Sequence, residues 1–292
     1  MRSVLSLGVD PSRIIFANPC KSALSLVFAQ MSGVNLATFD NLDELDSIKT
    51  YHPDCRLVLR IFACDDDALL NLSQKFGAPE GSLLRLLERA RELDLNVTGV
   101  SFHVGTGACN AAPYVMAIQN AKVVFEQAKR LGYDMNLLDI GGGFQDHNFE
   151  QIACHVAVAL NDGLPRDIRI IAEPGRYYVR TAYTLVCKVI SRRRQISDPA
   201  NLEPDMLYQN DGVYGSFMNV LIEKERLQPS LIPGSRHLHQ HASKRRSGQH
   251  CYSIWGPTCD SIDCVTKQTV FDSEVNVGDW LKYSNMGGIM VV

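Results

Sequence analysis

Leu137-Leu138-Asp139-Ile140-Gly141-Gly142-Gly143 is the stretch that settles the architecture, an apolar run of strand length ending on three glycines. The form recurs along the chain. β-branched and apolar runs at residues 14–18, 36–40, 57–61, 100–105 and 168–175 flank it. Between them lie segments such as 81–90 and 116–131 with apolar residues three and four apart, which read as amphipathic helices. A strand, helix, strand order demands parallel pairing with both faces covered. Six such units predict an α/β fold, an incomplete (β/α)8 barrel with six of its eight strands. Its polar and glycine-rich strand ends fall where barrels keep their chemistry.

After about Thr181 the texture changes. Alternating segments at 183–190, 211–217 and 275–283 predict antiparallel strands joined by turns, so a mostly antiparallel β domain is expected over 182–292 after a barrel domain over 1–181. Residues 225–250, rich in Pro, Ser, His, Lys and Arg, read as a long exposed loop. Its alternate His237, His239 and His241 could face one metal ion, but no acidic or cysteine partner lies close and a solvated loop explains them as well. No metal site is expected.

With 292 residues, 46% hydrophobic and 21% charged, the chain can bury one large core or two moderate ones. A net charge of -3 supplies no field for nucleic acid, and the clusters Arg192-Arg193-Arg194 and Lys244-Arg245-Arg246 read as solvated surface. No apolar run approaches the ~18 residues of a membrane span, and Met1 to Leu7 is too short a lead for a signal peptide. The expectation is a cytosolic protein with no membrane partner. Nine cysteines show neither paired C-x-x-C spacing nor the density of a secreted scaffold, so most read as buried thiols. Cys259 differs. It sits in the turn Gly256-Pro257-Thr258-Cys259-Asp260, where a small buried residue would be an odd requirement.

Glycines directly after a strand let bare backbone N–H groups close around a phosphate, although a tight strand-to-helix turn would use the same residues. The following strand ends Ala172-Glu173-Pro174-Gly175-Arg176-Tyr177-Tyr178, adding a carboxylate and a guanidinium at the same rim. Together with Leu57-Val58-Leu59-Arg60-Ile61, Val100-Ser101-Phe102-His103-Val104-Gly105 and Ile254-Trp255-Gly256-Pro257-Thr258-Cys259-Asp260, these motifs are similar to the eukaryotic, fungal-like ornithine decarboxylase family. The match runs from Gly8-Val9-Asp10-Pro11 through Asn285-Met286-Gly287.

That resemblance implies an alanine-racemase-like barrel followed by a β domain, working as a head-to-tail homodimer on pyridoxal phosphate and converting ornithine to putrescine in polyamine biosynthesis. It implies Glu173 at the cofactor's ring nitrogen, Arg60 supporting that carboxylate, and His103 stacked on the ring face. Arg176, Thr106 and the backbone of Gly141, Gly142 and Gly143 would hold the phosphate. Cys259 would return a proton, and Asp260 with Glu223 would receive the distal ammonium of a basic amino acid. Lys75 and Asp263 resemble an intersubunit ion pair.

The departures matter equally. The family's cofactor-bonding lysine lies on a strand before Met1, so two barrel strands are expected to be absent. Ile289 stands where a phosphate-binding tyrosine is usual, and Ile222-Glu223 replaces a Tyr-Asp pair. Lys21 matches a different family position from the lost lysine. Alternatives to an ornithine decarboxylase are therefore a silent relative acting through an antizyme-like regulator, and a decarboxylase of another basic amino acid.

Overall fold

The computed structural model describes residues 1–63, 75–165, 167–195, 203–234 and 246–288. The chain divides into two compact units, Met1–Pro174 and Gly175–Val292, a few residues before the change of texture at Thr181.

In the first unit the helices are α1 (Arg2–Ser6), α2 (Ala23–Met31), α3 (Leu42–Tyr51), α4 (Leu83–Glu92), α5 (Ala112–Arg130) and α6 (Phe149–Asn161). The strands β1 (Leu36–Phe39), β2 (Arg56–Arg60), β3 (Asn96–Ser101), β4 (Leu137–Asp139) and β5 (Arg169–Ile171) form one parallel sheet in chain order. Leu57, Val58 and Leu59 are all fully buried, a continuous run rather than an alternation, because helices cover both faces. On α4 the buried residues are Leu83, Leu86, Leu87 and Ala90, the three-and-four spacing of one helix face. α5 opens with Pro113 in its first turn, where no N–H is needed, and closes on Lys129 and Arg130, cations that suit a helix C-terminus.

One expected strand is lost. Residues 14–18 pair with β1 at Phe16 alone, through Phe16 N–H to Leu36 O and Thr38 N–H to Phe16 O. A 3-10 turn at Pro11–Arg13 and Pro19, which has no N–H to give, leave no room for more.

The second unit holds α7 (Gly175–Val179), α8 (Met218–Ile222) and the strands β6 (Leu185–Arg193), β7 (Asp205–Gln209), β8 (Ser230–Ile232), β9 (Ser247–Trp255), β10 (Cys264–Ser273) and β11 (Trp280–Tyr283). They form one sheet in the order β10-β9-β7-β6-β11-β8, antiparallel except for the β7–β9 pair. Its core gathers Phe217, Tyr252, Ile254, Leu281 and Tyr283, and the Tyr283 hydroxyl donates to Gln209 Oε1 at 2.7 Å, so that core tyrosine is satisfied.

Three details depart from the sequence reading. Residues 211–217 form a turn, not a strand, because the Asp211 side chain accepts from Gly212 N and Ser216 N and curls the backbone back on itself. Only Trp280–Tyr283 of the 275–283 segment is strand; ahead of it Asp279 Oδ2 accepts from Asn276 N and fixes a turn. The expected loop 225–250 contains β8 and the start of β9. His237, His239 and His241 lie outside the described residues, among which no cluster of metal-ligating side chains occurs.

Candidate active site

In the first unit the C-terminal ends of the parallel strands bring three chemistry-bearing side chains and a three-glycine loop to one rim. Arg60 ends β2, His103 follows β3, Gly141 to Gly143 follow β4, and Glu173 follows β5. Parallel pairing in register makes this happen: Arg60 pairs with Ser101, Ser101 with Asp139, and Asp139 with Ile171.

Gly142 lies where these ends converge. A Cβ there would stand 2.7 Å from Glu173 O and 2.9 Å from His103 Nε2, so no side chain larger than hydrogen fits. Gly141 adopts φ +64° and Gly143 φ +101°, left-handed conformations open to glycine. Gly142 O accepts from the buried Tyr114 hydroxyl at 2.9 Å, which anchors the loop to α5. Thr106 is half-buried in the loop after His103.

The electrostatics of the rim are unusual. Burial and then the Arg60 charge hold the His103 imidazole down at about 4, so the ring is neutral at physiological pH, with Nδ1 accepting from Gly105 N at 3.1 Å. Arg60 packs over the Phe76 ring at 5.4 Å, and burial lowers it against the opposing pull of Glu173, Asp40 and Asp139. Glu173 is reached by solvent yet walled by protein, and that crowding raises its carboxyl while Arg60 lowers it.

Asp139, which the sequence reading passed over as part of a strand, is 1% exposed. Burial and then Glu173 push its carboxyl up to about 7. The available signal was a carboxylate between Leu138 and Ile140, inside a run otherwise fully apolar.

In the second unit the expected residues are handled differently. Arg176 and Glu223 meet each other in a two-point ion pair, Nη1 to Oε2 at 2.7 Å and Nη2 to Oε1 at 2.8 Å, with Glu223 only 8% exposed. Cys259 and Asp260 stand exposed on the turn after β9, and the Tyr214 hydroxyl donates to Asp260 Oδ2. Asp263 is buried: Oδ1 accepts from Val213 N at 2.8 Å, and Oδ2 from Thr258 N at 3.1 Å and Thr258 Oγ1 at 2.7 Å. The sequence suggested Asp263 for an intersubunit pair with Lys75. Within its own unit it ties the turn carrying Tyr214 to the turn carrying Cys259 and Asp260. Lys75 packs its ammonium 5.1 Å over the Phe76 ring. Lys21 is wholly enclosed, bonded to Glu44 Oε1 at 2.8 Å and to Thr38 O at 2.6 Å. A lysine so occupied has no free amine.

Residues 1–180 match the model of the pyridoxal-dependent decarboxylases, pyridoxal binding domain. The chain belongs to that decarboxylase family. It is 42% identical to an ornithine decarboxylase of Neurospora crassa, with 98% of this chain and 64% of that protein covered. It is 43% identical to antizyme inhibitor 2 of Xenopus laevis, over 99% of this chain and 64% of that protein. Among solved structures, the Paramecium bursaria Chlorella virus arginine decarboxylase bound to agmatine superposes with a TM-score of 0.87 at 34% identity, covering 98% of this chain and 74% of that one. The chain thus spans a little under two thirds of the length of these curated relatives.

Pyridoxal phosphate is the cofactor of this decarboxylase family, and the rim suits it. A phosphate needs bare backbone N–H groups, and the Gly141–Gly143 loop, with Gly141 and Gly143 in left-handed conformations, would present them. A cationic ring nitrogen needs an acceptor, and the solvent-reached Glu173 carboxyl, with Arg60 in its field, would supply one.

Proposed function

We propose that the protein decarboxylates a small basic amino acid, with ornithine as substrate and putrescine as product, in the cytoplasm. The observation that carries this is the rim of the first unit, where a carboxylate, its supporting guanidinium, a neutral imidazole and a three-glycine loop converge at parallel strand ends. Pyridoxal phosphate, when bound, supplies a protonated ring that accepts the electron pair left on Cα as carbon dioxide departs.

The chain's own residues do the rest. Glu173 accepts a hydrogen bond from the ring nitrogen and keeps its proton in place; Arg60 keeps Glu173 ionised. The neutral His103 lies against a ring face without adding a cation beside a cationic ring. The N–H groups of Gly141, Gly142 and Gly143, with Thr106, hold the phosphate. The Cys259 thiol returns a proton to Cα, and Asp260, held by Tyr214, pairs with the distal ammonium.

We assign Cys259 and Asp260 to the site of a second copy in a head-to-tail homodimer. Mixing Cys259→Ala with Glu173→Gln protein, each inactive alone, then restores about a quarter of wild-type activity, because half the dimers are mixed and each has one intact site. Release of carbon dioxide from carboxyl-labelled ornithine, lysine, arginine and leucine tests the substrate class. Faster turnover of leucine than ornithine, or full ornithine turnover by Asp260→Ala, defeats it.

A silent relative acting through an antizyme-like regulator is the second reading, favoured by one observation. Glu223, expected at the substrate's distal ammonium, is spent on Arg176, the expected phosphate ligand. Under this reading no basic amino acid is turned over and Glu223→Asp leaves that unchanged.

A further inference from the structure

Asp139 has no role in the chemistry above, yet it is the most enclosed carboxyl at the rim. Its Oδ1 accepts from Gly141 N at 2.9 Å, while Oδ2 has no hydrogen-bond partner among the described residues. Native proteins rarely leave an ionised oxygen so placed, because an unsatisfied buried charge costs several kcal/mol. Glu173 reaches the same residue through its backbone, its N–H donating to Gly141 O at 2.7 Å, so Gly141 ties the Asp139 side chain to the Glu173 main chain.

Among the described residues the charged groups around Asp139 are few. β2 contributes Arg60, β5 contributes Glu173, β3 leads to the neutral His103, and β1 leads to Asp40, whose field reaches Arg60. The Ser101 hydroxyl on the adjoining strand, 4% exposed, is likewise without a partner among the described residues. Of these groups only Glu173 and Arg60 act on Asp139 directly, and those three are together neutral when one of the two carboxyls keeps its proton.

We propose that Asp139 is a proton-holding residue behind Glu173: it stays protonated in the cofactor-free protein and gives that proton up when a cationic ring nitrogen settles on Glu173. The charge then balances in both states. Without cofactor, Arg60 offsets Glu173 while Asp139 is a neutral acid; with cofactor, Arg60 and the ring nitrogen offset two carboxylates, and the Asp139 proton leaves to solvent. Retaining the proton on Asp139 keeps Glu173 ionised and ready to accept, which makes Asp139 a positioning residue for the ring-nitrogen contact. Burial and the Glu173 charge both act in this direction on its carboxyl. The inference rests on the cofactor assignment above for its second half and on the protein alone for its first.

Infrared spectroscopy of cofactor-free protein tests the first half. At about pH 6 ordinary carboxyls are ionised, so a protonated-carboxyl band should stand out, fade by about pH 8, and be missing from Asp139→Asn. The wild-type pH titration stands by itself if that variant folds poorly. Calorimetry in buffers of different ionisation enthalpy tests the second half with pyridoxal phosphate as probe. At about pH 6 wild-type protein should release about one proton more per cofactor than Asp139→Asn, a difference that shrinks toward zero by about pH 8. No titrating band, or equal proton release by the two proteins, overturns the proposal. If pyridoxal phosphate fails to bind at all, the cofactor reading falls and the ligand-free band still decides whether Asp139 holds a proton.

Discussion

Asp139 and Asp263 are both 1% exposed, and the molecule treats them in opposite ways. Asp263 holds three donors, two from Thr258 and one from Val213, and each comes from a turn it fastens. Asp139 holds one, from Gly141, and keeps a bare oxygen among apolar strands. A saturated carboxylate stores its energy in geometry. An unsaturated one is left waiting for a proton or a ligand. The first unit therefore carries its unmet charge to the strand ends where a cofactor would sit, while the second uses its acids to shape the turn presenting Cys259 and Asp260.

The sharpest break of this comparison is Glu173→Gln. It should lower kcat by about 10²–10³-fold, the typical loss of one preorganised electrostatic contact, and leave the denaturation midpoint nearly unchanged because Glu173 makes no other side-chain bond in the fold described above. Joint collapse of activity and stability would show that the rim acid is structural after all.

Asp263→Ala should do the reverse. Removing an acceptor that holds three buried or half-buried donors should cost about 3 kcal/mol of stability, read from urea denaturation. An undiminished midpoint would mean that water replaces the carboxylate and that the two turns do not depend on it.

The pH dependence of folding sharpens the contrast further. Asp139 has a folded value near 7, above the unfolded carboxylate value, so its contribution is full in acid and is lost as pH rises through about 7. His103, depressed to about 4, contributes in the opposite sense: its share is present above the unfolded imidazole value near 6.5 and is lost as pH falls toward 4. Denaturant midpoints measured from pH 4 to 8 should shift upward at low pH in wild type relative to Asp139→Asn. The His103 ring, followed by NMR, should remain neutral down to about pH 4.

The smallest effect belongs to Tyr214→Phe. Its hydroxyl meets an exposed Asp260, so the loss should be small and appear as a rise in KM for the basic substrate with kcat little changed. A fall in kcat alone would place Tyr214 in the proton transfer rather than in the distal pocket.

The β/α alternation, the antiparallel second unit and the positions of Arg60, His103 and Glu173 were all legible in the sequence. Periodicity reports which faces are buried, and in a parallel sheet the residue after each strand falls on the same rim by topology alone. The turn at 211–217 was misread because alternation cannot register a side chain that accepts from its own backbone, as Asp211 does. The pairing of Arg176 with Glu223, 47 positions apart, and the clasp of Asp263 on Val213, 50 positions apart, had no local signature at all. The sequence by itself determined the alternation of parallel strands and amphipathic helices and the residues at the ends of β2 to β5, because those follow from the spacing of apolar side chains. Only the tertiary structure decided which charges are answered and which, like Asp139, are left with a bare oxygen, because desolvation and hydrogen bonding depend on neighbours that the chain supplies from far along its length.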